Sequence, residues 1–111
     1  SCSGHIFIAF SKDEQQKHIL ELLQVDATEG ELQHVITAVR KQGYERMLSK
    51  QIQGVEDIGF PIYGYGNELV ACLVVPYLHY IGDLNTVNIN SAIAATKNTA
   101  INISRNLGAT F

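Results

Sequence analysis

Apolar and polar positions fall into blocks along this chain, and the blocks differ in period. His5-Ile6-Phe7-Ile8-Ala9-Phe10 is apolar nearly throughout. So short a run suits a buried strand or a short buried helix, and periodicity does not choose between them. Ser11 has the chemistry of a helix N-cap, with Asp13 and Glu14 in the first turn, where carboxylates complement the helix dipole. Ile19, Leu20, Leu22 and Leu23 form the apolar face of a helix from about Lys12 to Leu23. Thr28 followed by Glu31 predicts a capping box for the next helix. Leu32, Val35, Ile36 and Val39 recur at intervals of three and four, so that helix is amphipathic. Arg40 and Lys41 occupy its last turn, and Gly43 stops it.

Beyond Gly43 the period shortens. Gly43 to Leu48, Gly54 to Tyr63 and Glu68 to Pro76 are strand-like runs separated by turn chemistry. Gly64-Tyr65-Gly66-Asn67 joins the last two and predicts a β-hairpin, since glycine and asparagine accept the positive φ of a tight loop. Pro61 removes a ladder donor, which places it at an edge or a bulge. Pro76 marks the exit from the last strand, and Gly82-Asp83 reads as a turn. From about Asn85 to Leu107, the series Ile89, Ile93, Thr96, Ala100, Ile103, Leu107 predicts a long helix closed by Gly108. Helices precede and follow the strands, and short turns join the strands. The class is therefore α+β with an antiparallel sheet. A three-stranded sheet has open edges, so further strands or a second copy should cover one.

Composition narrows the function. The 111 residues make one small domain or part of one, and 46% are hydrophobic, enough for a core. The net charge is −3 and the basic residues are scattered, which excludes a phosphate-binding stripe on this chain. Cys2 and Cys72 lie far apart without a second pair, as expected of free thiols in a reducing cytoplasm. No apolar run is long enough to cross a membrane, and no signal peptide is visible. The start at Ser1 without methionine suggests a piece of something longer.

Ser3-Gly4-His5-Ile6-Phe7-Ile8-Ala9, Val39-Arg40-Lys41-Gln42-Gly43-Tyr44, Gly54-Val55, Ile58-Gly59-Phe60-Pro61-Ile62-Tyr63, Glu68-Leu69-Val70-Ala71-Cys72-Leu73-Val74-Val75 and Ile103-Ser104-Arg105-Asn106-Leu107-Gly108 follow one another at characteristic gaps. In that order they resemble the effector-binding domain of the IclR family of bacterial transcription regulators, over nearly the whole chain. The resemblance implies a GAF/profilin-like partial domain: a curved antiparallel sheet with flanking helices, lacking its first strands. It also implies an absent N-terminal winged helix-turn-helix that contacts DNA. Partners would be a small-molecule effector, an organic acid or aromatic metabolite, and further copies of the chain as a homodimer or tetramer. The protein would be cytoplasmic, without membrane attachment, catalysis or cofactor.

Cys2-Ser3-Gly4 is a small-residue loop running into a helix start. Its backbone N–H groups can hold a carboxylate, although a tight turn also needs small residues. By resemblance, this loop gives main-chain contacts to a small acid, and the other ligand positions fall on Met47, Val55, Asp57, Val74 and Pro76. A family member that binds glyoxylate and pyruvate has Asp in place of Met47, Ser in place of Val74 and Pro76, and Cys in place of Asp57. Here the polar set is largely apolar, and Asp57 disfavours an anionic ligand. A larger or more apolar effector follows, or a closed pocket in a module that only dimerises. Met47, Val55 and Val74 also suit a plain core. Cys2 near a helix start can carry a lowered pKa and act as a nucleophile, but no His-Asp or His-Asn arrangement accompanies it, and an inert thiol is the simpler reading. Cys72, in an apolar strand, should be buried and unreactive. Cys2 and His5 have a metal-like interval, but His18, His34 and His79 are dispersed and no metal is expected. Tyr63, Tyr65, Tyr77 and Tyr80 suit half-buried packing or stacking.

Overall fold

A computed structural model of the chain describes residues 1–22, 30–79 and 87–111. The elements are α1 (Cys2–Phe10), α2 (Asp13–Leu22), α3 (Gly30–Gln42), β1 (Glu45–Leu48), β2 (Val55–Tyr63), a 3-10 turn (Tyr65–Asn67), β3 (Leu69–Leu78) and α4 (Ile89–Asn106). The sheet has the order β1-β2-β3 with both pairings antiparallel. The class is α+β, as the block pattern predicts.

The ambiguous apolar run is a helix. Ser1 caps it by accepting the Gly4 amide at 3.1 Å. Ile6, Ile8 and Ala9 pack with Leu20, Ile36 and Val39 into one core cluster. A helix pairs its own backbone groups, so α1 can lie buried with no neighbouring strand. The carbonyls freed at its C-terminal end find side-chain donors. Gln16 Nε2 reaches Ile8 O at 2.5 Å and Arg40 Nε reaches Ala9 O at 2.5 Å. Ser11 Oγ donates to Phe7 O. Ser11 therefore closes α1 rather than opening α2, because its hydroxyl is spent on the preceding turn. Leu22, expected on the apolar face of α2, is 70% exposed; Leu20 carries that face with Ile19. Leu23, Thr28, Tyr80 and Gly82-Asp83 lie outside the described residues.

α3 buries Ile36 and Val39 and ends at Gly43, whose φ of +89° is the left-handed conformation that suits glycine. The predicted hairpin forms around the 3-10 turn, with positive φ at Gly66 and Asn67. Pro61 lies on the central strand, but β1 stops pairing at Gly59, so one flank of β2 is open at Pro61. A bulge follows between Ile62 and Tyr63. Pro76 does not end β3. It pairs with Asp57, and the strand continues to Leu78, because an outer strand tolerates a missing N–H.

A second core cluster joins α4 to the sheet: Ile58, Phe60 and Ile62 pack with Ala100, flanked by Tyr44, Leu73 and Ile93. Tyr44 stacks on Phe60 with centroids 4.9 Å apart. The buried stripe of α4 is Thr96, Ala100 and Ser104, while the expected Leu107 is half exposed. Two hydroxyls tolerate this burial because each donates back to its own helix, Thr96 to Ala92 O and Ser104 to Ala100 O.

Candidate functional site

Side chains alternate across a strand, so the register sorts the sheet into two faces. Ile58, Phe60 and Ile62 face α4. Val55, Asp57 and Gly59 face the other way, toward α1. On that face Met47 stands opposite Asp57, and Asp57 stands opposite Pro76. Gly59 stands opposite Val74, and Val55 opposite Leu78. Met47, Val55, Asp57, Val74 and Pro76 thus share one face, although they come from three strands.

α1 closes on this face at Gly59. A Cβ there would lie 2.6 Å from Cys2 Sγ and 3.2 Å from Ile6 Cγ1, so the helix seats where the strand has no side chain. Cys2, Ser3 and Gly4 are the first turn of α1, not a loop before it. The helix covers Gly59 but not the sheet toward Asp57. There a hollow of about 280 Å³ remains, lined by Ser1, Cys2, Met47, Leu48, Ser49, Lys50, Gln51 and Asp57. Cys2, Met47 and Asp57 meet at this hollow; Ser3, Gly4, Val55, Val74 and Pro76 do not line it. Val55 and Val74 are half-buried and Pro76 is exposed.

The chain after β1 supplies the lining that sequence reasoning missed. Ser49 Oγ accepts the amides of Gln51 and Ile52 at 3.3 and 3.0 Å, which turns Lys50 and Gln51 over the hollow. In the sequence this segment is only a polar break between strands; its position beside α1 is a tertiary fact.

His5 fastens α1 to β1, with Nδ1 2.6 Å from Glu45 Oε2. Its partner is thus a carboxylate rather than a metal-ligand set. Among the described residues no three His, Cys, Asp or Glu gather as metal ligands. The Cys2 thiol is pushed up to about 12, first by burial and then by the negative charges of Glu45 and Asp57. That is opposite to the lowered pKa a helix start alone allows, because desolvation outweighs the dipole here. Cys72 is half-buried, and burial raises its pKa as well. Tyr65 is 89% exposed, while Tyr63 meets Phe111 edge-on and Tyr77 meets His79 edge-on.

The opposite face carries a separate charged group. Glu56, 7% exposed, receives Arg46 Nε at 2.5 Å and a further Arg46 nitrogen at 3.2 Å, with His79 Nε2 at 3.0 Å. The Arg46 hydrogen bond holds this carboxyl below its ordinary value against the opposing effect of burial. The same bond raises the Arg46 pKa.

A helix seated on one face of a small antiparallel sheet, a second helix on the other, and a hollow at the first helix's start define a sandwich-like α+β domain. Residues 1–105 match the family model described as bacterial transcriptional regulator IclR, C-terminal. The chain belongs to that family. Among solved structures it is similar to the C-terminal domain of the Escherichia coli transcriptional regulator KdgR, with 20% identity and a TM-score of 0.73 over 98% of this chain and 70% of that one. It is also similar to the Agobacterium tumefaciens repressor BlcR, with 16% identity and a TM-score of 0.70 over 98% of this chain and 46% of that one. The Thermotoga maritima IclR follows, with 19% identity and a TM-score of 0.67 over 96% of this chain and 46% of that one. The chain thus spans less than half the length of the latter two. Comparison with curated protein sequences returns no match. Among the described residues no helix is long and apolar enough to cross a membrane.

Proposed function

We propose that this chain is the effector-sensing and self-association domain of an IclR-type regulator and is not an enzyme. A small molecule seats in the hollow beside Cys2, Met47 and Asp57. Its unequal affinity for two subunit arrangements then alters operator binding by a winged helix-turn-helix elsewhere in the same cytoplasmic protein. In this reading the chain is an effector domain without its first strands, and partner copies complete the assembly.

The carrying observation is the hollow itself. Residues from α1, β1 and β2 converge on about 280 Å³, just below the usual range of ligand pockets, about 300–1,000 Å³. The competing reading, a dimerisation module with a closed pocket, needs side chains filling the space beside Met47 and Asp57, and the open hollow counts against it. The inert thiol of Cys2 counts against covalent catalysis at this spot. The test is a melting-temperature screen with small carboxylic and aromatic acids. Ligands that bind the native state raise the midpoint, and Met47→Trp, which fills the hollow, is expected to abolish that rise. No shift across a broad panel of these acids and of α-amino acids overturns the sensing role.

A further inference from the structure

Asp57 and Lys50 bring opposite charges to the hollow, and neither has a hydrogen-bond or ion-pair partner among the described residues. Asp57 is half-buried in the sheet, in register between Met47 and Pro76, and no described donor reaches its carboxylate. Lys50 is exposed on the segment that follows β1.

A second hollow of about 390 Å³ adjoins the first. The two share Ser1, Met47 and Lys50, and the second adds Leu32 and Val35 of α3 along with His5 and Glu31. His5 is already engaged with Glu45. The combined space therefore presents acceptors at Asp57 and, at its α3 end, Glu31, cations at Lys50 and the Ser1 end of the chain, and an apolar track over Met47 to Leu32 and Val35.

We propose that this site takes an α-amino acid with an apolar side chain, its ammonium on Asp57, its carboxylate on Lys50 and its side chain over Met47 toward α3. This rests on the reading of the hollow as the effector site and names the ligand class. A simple carboxylic acid satisfies Lys50 but leaves Asp57 unpaired and repelling it. A simple amine satisfies Asp57 and leaves Lys50 idle. Only a ligand bearing both charges matches both walls, and an ammonium on a half-buried carboxylate makes a charge-assisted hydrogen bond.

The experiment is calorimetric titration of the 111-residue chain with three probes that share one apolar body: L-leucine, its 2-oxo acid and 3-methylbutylamine. L-leucine is expected to bind at least about tenfold more tightly than either of the others. Asp57→Asn should remove its advantage over the oxo acid, and Lys50→Met its advantage over the amine. Neither side chain supports the fold by a bond, so melting temperatures without ligand should stay at the wild-type value. If the oxo acid binds as well as leucine, or both variants keep leucine's advantage, the inference is overturned while effector sensing stands. If none of the three probes binds, the inference is also overturned, and silence across the wider panel then removes the sensing role as well.

Discussion

Gly59 and Cys2 touch so closely that the strand has no room for a side chain: a Cβ on Gly59 would stand 2.6 Å from Cys2 Sγ. This contact sets the height of α1 above the sheet and fixes one wall of the hollow.

Gly59→Ala is therefore expected to destabilise the fold by about 1–3 kcal/mol, the range for an overpacked core position. Cys2→Ala removes the clashing atom. The double variant should lose less than the sum of the two single variants, which a denaturant double-mutant cycle measures directly. Strict additivity would mean that α1 does not rest on Gly59.

Cys2 should be chemically quiet. With its thiol pushed up to about 12 by burial and nearby acids, its thiolate is scarce at neutral pH. Alkylation of the native chain at about pH 8 is expected to run roughly a thousandfold slower at Cys2 than in a denatured control. Peptide mapping after timed iodoacetamide treatment separates Cys2 from Cys72.

Ser104 bridges α4 and β2 where β1 no longer covers the strand. It is 1% exposed, accepts the Tyr63 amide at 3.0 Å and donates to Ala100 O at 2.8 Å. Ser104→Ala leaves the part-buried Tyr63 amide without this acceptor, at a cost of about 1–3 kcal/mol. Thermal unfolding checks the loss, and hydrogen exchange at Tyr63 should rise more than at Ile58 in the same sheet.

Glu56 gives the chain an acid-sensitive tie. Its carboxyl lies below the ordinary value because of Arg46. Its contribution is therefore complete above the ordinary carboxylate pKa and disappears as pH falls through the lower native value. Arg46→Met should cost about 2 kcal/mol near pH 7, where the charge-assisted bonds are intact. Denaturant midpoints of the two proteins should converge as pH falls below about 4. A gap that persists undiminished in acid would show that Arg46 acts through packing instead.

Periodicity alone settled much of this molecule. Leu32, Val35, Ile36 and Val39 mark a helix face because a 3.6-residue turn repeats them on one side. Gly64 to Asn67 marks a hairpin because only residues tolerant of positive φ close it. The order of these blocks carries the family. Local chemistry was less decisive where a group had two possible neighbours. Ser11 could open α2 or close α1, and the Phe7 carbonyl claimed it. The run from His5 to Phe10 could be strand or helix, and its packing as α1 against Leu20, Ile36 and Val39 shows which.

The site divides in the same way. Resemblance pointed to Cys2, Met47 and Asp57, and β-pairing explains why Met47 and Asp57 meet: they stand opposite each other in the register. Nothing local in the sequence places Lys50 beside them, because a residue after a strand shows its polarity but not which helix it will face. Apart from α1 and the far end of β3, the chain by itself determined its helices, its strands and the type of domain, since those follow from short-range period and turn chemistry. Where α1 sits on the sheet, which carboxylates it approaches and how much space it leaves were decided by long-range packing against Gly59, to which a one-dimensional pattern is blind.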